Sequence, residues 1–242
     1  MYLFGTHSSD ASRCWAIVNK KLSDFFSFIF GSTCPACGCL ASQVCSQCLK
    51  SIQFNESVSK QIVEYHGKVI VAYAYSAVIR KVILGFKYRN QRSSLRFLGD
   101  ALVDRLVVEK SRSLCRIDLI TWAPTTDLRK IERGHDHAEL IARYVAKQLQ
   151  ISCRKVLTRL SDHPQTGKSR DARLVGPVFT AQKLNAEHVL IIDDVVTTGA
   201  TLNSASHALY QAGAGLVTCM AVASTVLWQS SIGSYALAKA RK

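Results

Sequence analysis

From Gly67 onward, stretches in which every second residue is apolar give way to longer stretches in which apolar residues recur every third or fourth position. This alternation predicts strands and helices in turn. KVIVAYAYS (68–76) reads as a strand, and Ala77–Tyr88 and Ser94–Lys110 read as helices. Ile117–Trp122 is a short strand, Ile131–Gln150 a helix, and Val156–Leu160 the end of another strand. His188–Ile192, Thr201–Gln211 and Leu216–Ala223 complete the series as strand, helix and strand. Strands that alternate with helices make parallel βα units, so the expected class is α/β, with helices on both faces of a mostly parallel sheet.

The rest of the chain breaks this pattern. Residues 1–31 begin polar and then place Trp15, Val18, Leu22, Phe25, Phe26 and Ile29 on one helical face. A helix packed on its own domain is the preferred reading. A membrane-surface helix is the alternative, with only Lys20 and Lys21 to support peripheral association. Residues 32–50 form a cysteine-rich knuckle, 51–66 a linker, 67–228 the main domain and 229–242 a basic tail. Ser161–Gly176 is a long polar stretch of the kind that serves as a lid.

At 242 residues, 48% hydrophobic and 20% charged, the chain has the composition of a globular protein. No apolar run approaches the ~20 residues of a transmembrane helix, and no secretory leader is evident, so a cytoplasmic location is expected. The formal charge of +14 points to an anionic partner, or else to a surface of solvated lysines and arginines.

Five of the nine cysteines fall between Cys34 and Cys48. Cys34-x2-Cys37 and Cys45-x2-Cys48 lie seven residues apart, and two such pairs at close range predict a tetrahedral zinc site. Four sulfurs close the coordination shell, which makes the zinc structural. Cys39 is an extra thiol, read as a spectator.

VLIIDDVVTTGAT (189–201) runs four apolar residues into Asp193 and Asp194. In open α/β sheets ligands bind beyond the carboxyl ends of the strands. Carboxylates there accept hydrogen bonds from a polyol, and the following turn opens a helix whose N–H groups suit a phosphate. Gly199 allows close backbone approach, and the threonines add hydroxyl donors. A sugar phosphate satisfies both ends of the loop.

This stretch resembles the phosphoribosyl pyrophosphate signature of type I phosphoribosyltransferases. The resemblance implies that Asp193 and Asp194 hold the ribose hydroxyls and take part in catalysis. It implies that Thr197, Thr198, Gly199, Ala200 and Thr201 hold the 5-phosphate, with Mg²⁺ nearby. Thr197 stands where hypoxanthine-type enzymes carry an Asp, which argues against 6-oxopurine salvage. A zinc ribbon ahead of such a domain resembles the ComF family of competence-type proteins. DFFSFIFGSTCPACG, YSAVIRKVILGFKYRNQ, RGHDHAELIARYVA and HPQTGKSRDARLVGPVF are similar to segments of that family, with His135 and His137 as departures. The fold implied is a type I phosphoribosyltransferase-like sheet flanked by helices and preceded by a small zinc ribbon. The loop after ITWAP, with Thr125 and Thr126, is then the pyrophosphate loop, helped by the nearby Arg129, Lys130 and Arg133 and by Lys168, Arg170 and Arg173 of the lid.

Arg80, Lys81, Lys87, Arg89, Arg92 and Arg96 fall within seventeen residues that hold no acid, with Phe86 and Tyr88 interleaved. Such a run suits single-stranded DNA, and a solvated helix face accounts for it equally. The family resemblance implies natural transformation, with single-stranded DNA and a DNA-translocating helicase as partners at the inner face of the membrane. Transfer of phosphoribose to an acceptor, nucleotide salvage and a non-catalytic module that binds phosphoribosyl pyrophosphate and DNA all stand as readings of the activity.

Overall fold

A computed structural model of the full chain describes residues 33–52, 61–63, 67–89, 92–110, 116–160 and 177–225. The expected amphipathic helix at 15–29, the polar stretch 161–176 and the basic tail lie outside these residues.

The described elements run α1 (Ser46–Lys50), β1 (Gln61–Val63), β2 (Gly67–Ala74), α2 (Ala77–Arg89), α3 (Arg92–Lys110), β3 (Leu119–Trp122) and α4 (Asp127–Arg133). They continue with α5 (His137–Leu149), β4 (Ser152–Cys153), β5 (Leu157–Arg159), β6 (Phe179–Ala181), β7 (His188–Val196), α6 (Ala200–Gln211) and β8 (Leu216–Ser224). The main sheet has the order β1-β2-β8-β7-β3-β4, and β5 and β6 form a separate antiparallel pair. From β2 to β4 every pairing is parallel, while β1 joins the edge antiparallel to β2.

Because side chains alternate across a strand, β7 feeds two cores at once. Leu190 and Ile192 join Ile70, Ile120, Trp122 and Met220 beneath α2, α3 and α5. Val189 and Ile191 join Val71, Leu119, Val217 and Ala221 beneath α6 and the β5–β6 hairpin. Helices therefore cover both faces, as the sequence pattern predicts. Cys34, Ala36, Val44 and Ile52 belong to the first of these cores, so the cysteine knuckle packs on the sheet domain.

Three expectations are corrected. The helix read over 131–150 is two helices. Gly134 adopts φ 79° at the end of α4, and Asp136 caps α5 by accepting from the Ala138 and Glu139 N–H groups. That break interrupts the apolar period without erasing it, so periodicity alone runs through it. Part of the 51–66 linker is structured: Gln61–Val63 is the edge strand β1, and Ile52 is buried. Finally, β7 does not stop at Ile192 but continues through both aspartates to Val196, because β8 goes on pairing with it, Asp193 against Ala221 and Val195 against Ala223.

Candidate functional site

The cleft arises from unequal strand lengths. On one side of β7, β8 runs the full length of the strand. On the other, β3 ends at Trp122 opposite Ile192, and the last bond is from the Ala123 N–H to the Ile192 carbonyl at 3.1 Å. Beyond that point Asp193 and Asp194 stand on a strand with one open edge. The chain leaving β3 turns away through Pro124, and a cleft of ≈ 170 Å³ opens between them.

Its far wall is held by Asp136. One carboxylate oxygen caps α5, and the other accepts the Thr125 N–H at 2.8 Å, which fixes the loop after β3 against α5. Burial raises the Asp136 pKa, opposed by the backbone N–H groups it accepts. Thr126 acts elsewhere, its hydroxyl capping α4 by accepting from the Arg129 N–H at 3.4 Å. Of the two threonines expected to serve pyrophosphate, Thr125 lines the cleft and Thr126 starts the next helix.

At the floor, Asp193 accepts from the Asp194 N–H at 2.7 Å. Burial pushes the Asp193 carboxyl up to about 7, and the neighbouring Asp194 charge adds to this. Asp194 is held otherwise, in an ion pair with Lys87 of α2. Gly199 ends the signature loop at φ 81° and ψ −3°, a left-handed conformation that favours glycine. No side chain caps α6 at that residue, and the first turn of the helix carries no acid. The Thr198 hydroxyl accepts from the Ala200 N–H at 3.4 Å, Thr197 and Thr198 are exposed, and Thr201 reaches the cleft. The loop thus offers hydroxyls and the positive end of a helix on one side of the cleft, with two carboxylates on the other.

Of the basic residues expected beside the pyrophosphate loop, Arg129 of α4 lines the cleft, and Arg159, which was not expected, joins it from the β5–β6 hairpin, 5.9 Å from the Phe179 ring centroid. A lone arginine at a strand end carries no signal in sequence, so Arg159 was not legible. Arg133 closes α4, and Lys168, Arg170 and Arg173 lie outside the described residues.

The basic run does not form one face. Arg80 and Lys81 are exposed on α2, and Arg96 is exposed on α3 beside Tyr144. Arg89 closes α2 and Arg92 opens α3. Lys87 is the correction: its side chain is only 16% exposed and turns into the cleft, so it belongs with the signature acids and not with the outward basic surface. Lys81, Leu84, Gly85 and Tyr88 form a second stripe of α2, which lines a groove of ≈ 590 Å³ against the Pro35–Gly38 turn of the knuckle.

In the knuckle, the ligand atoms of Cys34, Cys37, Cys45 and Cys48 all lie within 4.8 Å of one another. Sγ of Cys37 and Cys45 are 3.7 Å apart. A tetrahedron of sulfurs about 2.3 Å from zinc has edges of about 3.8 Å, so the donor set fits that metal. Gly38, at φ 81°, turns the first pair, and its N–H donates to the Cys34 carbonyl at 2.8 Å. The Cys45 sulfur accepts from the Cys48 N–H, which lowers its pKa to about 6, toward the thiolate that binds metal. Cys39 lies 3.4 Å from the Cys37 sulfur, and its thiol is pushed up to about 12 by its contact with Cys37.

No protein-family model matches the chain. It is 26% identical over 191 residues to competence protein ComFC of Bacillus subtilis, covering 76% of this chain and 74% of that protein. It is 26% identical over 197 residues to competence protein F of Haemophilus influenzae, covering 74% and 80% respectively. Adenine phosphoribosyltransferase of Saccharomyces cerevisiae overlaps 56% of the chain and 70% of its own at 21% identity, with a TM-score of 0.37. The Leishmania tarentolae enzyme of the same name overlaps 58% and 74% at 17% identity, also with a TM-score of 0.37. Those two likenesses are too slight to carry an argument about the site. The chain is thus distantly similar to ComF and ComFC proteins, and it joins a parallel α/β sheet to a cysteine cluster that fits a small zinc-binding module. No described helix is long and apolar enough to cross a membrane.

Proposed function

We propose that the chain is a ComF-type protein with a type I phosphoribosyltransferase fold, and that its cleft binds phosphoribosyl pyrophosphate with Mg²⁺. The observation that carries this reading is the placement of Asp193 and Asp194 past the end of β3, facing a helix N-terminus whose turn residues are hydroxylic. A ribose spans the interval between carboxylates and helix. Its hydroxyls donate to Asp193 and Asp194, and its 5-phosphate accepts from the Thr197–Thr201 loop. The pyrophosphate lies toward Thr125, with Arg129 and Arg159 to neutralise it and with Arg133, Lys168, Arg170 and Arg173 supplying further charge. The adjacent hard-oxygen donors of the acids suit Mg²⁺, which when bound supplies charge neutralisation for a departing pyrophosphate.

On this reading residues 32–50 are a structural zinc ribbon and 67–228 the ligand-binding domain. The work of the protein is cytoplasmic handling of single-stranded DNA during natural transformation, alongside a DNA-translocating helicase at the inner face of the membrane. Support for that role comes from the two competence relatives and from the exposed Arg80, Lys81 and Arg96. Nucleotide salvage is disfavoured by Thr197 and by the zinc module.

Calorimetric titration of phosphoribosyl pyrophosphate with Mg²⁺ tests the reading. The parent should bind, and the Asp193→Ala/Asp194→Ala double variant should lose at least tenfold in affinity. Equal affinity in the two proteins places the ligand elsewhere. Transfer of label from phosphoribosyl pyrophosphate to DNA or nucleobases then separates an enzyme from a binding module.

A further inference from the structure

The position of Lys87 follows from how α2 packs. Ile79, Val82, Ile83 and Phe86 turn one stripe of the helix into the core, and the Phe86 ring meets His137 edge-on at 4.9 Å. With Phe86 wedged against the start of α5, the next side chain points along the cleft wall to Asp194. The buried stripe anchors the helix in the core, but the lysine stem has four rotatable bonds. The ammonium can therefore leave Asp194 while the backbone stays in place.

An ammonium and a divalent cation compete for the same hard carboxylate oxygens, and each raises the electrostatic cost of placing the other there. If the cleft takes phosphoribosyl pyrophosphate, as read above, the signature acids have a cation built in before the ligand's own metal arrives. We propose that Lys87 is a tethered cation that holds the metal side of Asp194, keeping free divalent metal out and admitting only metal that arrives chelated by an anionic sugar phosphate.

The charge balance makes the exchange selective. Free metal would have to displace the ammonium into a cleft that already holds Arg129 and Arg159, with no new anion to receive it. Phosphoribosyl pyrophosphate brings phosphate oxygens, so the displaced ammonium exchanges one anionic partner for another. The other acids of the cleft do not relieve Asp194 of this pairing: Asp136 is engaged by three backbone N–H groups, and Asp193 accepts from the Asp194 N–H.

Mn²⁺ alone is the probe, titrated into zinc-loaded full-length protein and read by electron paramagnetic resonance of the free ion. Lys87→Met, or Lys87→Gln if the methionine variant does not fold, should gain one Mn²⁺ per chain with at least tenfold higher affinity than the parent. Lys87→Arg should behave like the parent, and adding Asp194→Asn to Lys87→Met should abolish the gain. Retained zinc content reports that each variant is folded. Mn²⁺ affinity within twofold of the parent in both neutral variants overturns the proposal, as does a gain that survives Asp194→Asn. The two readings fail separately. A parent that binds phosphoribosyl pyrophosphate while Lys87→Met gains no Mn²⁺ sinks only the tethered cation. A parent that never binds phosphoribosyl pyrophosphate, with a Mn²⁺ gain in Lys87→Met, sinks only the ligand assignment.

Discussion

Replacing Asp193 by asparagine should stabilise the empty protein near neutral pH, because the carboxylate there is held against its electrostatic interest. Burial and the adjacent Asp194 lift its carboxyl from an ordinary 3.8 to about 7. In the unfolded chain the same group is half ionised at about pH 4. Between those values the folded state holds more protons than the unfolded state, so stability is fully present at low pH and is lost as pH rises toward 7. At about 1.4 kcal/mol per pH unit, the ceiling on that loss is about 4 kcal/mol. About 2.6 kcal/mol of that ceiling is lost between pH 5 and pH 8, and water reaching the partly exposed Asp193 lowers the figure expected over that range to about 2 kcal/mol. Asparagine has nearly the same shape, carries no charge at any pH, and keeps an oxygen to accept the Asp194 N–H, now 2.7 Å away. Urea unfolding followed by circular dichroism at pH 5, 6, 7 and 8 measures the gap between variant and parent, and effects of pH on the zinc site are common to both and cancel. The gap should widen by about 2 kcal/mol from pH 5 to pH 8 and level off above about 7. Parallel profiles would refute the reasoning, since they would mean that Asp193 ionises in the fold as it does in water. The same variant should bind phosphoribosyl pyrophosphate more weakly, the ordinary exchange of stability for a functional charge.

Two further outcomes are expected. Cys45→Ser keeps a side-chain oxygen able to cap α1 but removes one of the four sulfurs, so elemental analysis should fall from one zinc per chain to well under half, with a lower melting temperature because the knuckle shares the domain core. Protein that carries no zinc and melts like the parent would contradict the site. If α2 meets single-stranded DNA, Arg80→Ala/Lys81→Ala should flatten the log–log salt dependence of binding by about 1.4, roughly 0.7 for each phosphate no longer neutralised, with zinc content and phosphoribosyl pyrophosphate affinity unchanged. An identical slope leaves these side chains as a solvated face.

What the sequence determined by itself was local. The alternation of apolar residues in KVIVAYAYS and His188–Ile192 marks strands with their neighbours on both faces, and the structure builds two cores from that alternation. The doubled Cys-x2-Cys spacing brings four sulfurs together because each pair closes within a single turn. Gly199 could be read as the turn into α6 because only a few residue types suit a left-handed backbone. Each of these signals depends on residues within one or two turns of one another. The tertiary structure decided what depends on lateral packing. Nothing near Ile192 indicates that β3 stops opposite it while β8 continues, and that mismatch of neighbours opens the cleft. The basic run around Lys87 reads as one surface until the buried stripe of α2 is known, and packing then turns Lys87 to Asp194 while leaving Arg80 and Lys81 in solvent. Arg159 reaches the site only because a hairpin outside the main sheet folds beside it. Strand order, relative strand length and helix rotation are collective properties of the packed chain, so the partners of a charge are set there and not by its sequence neighbours.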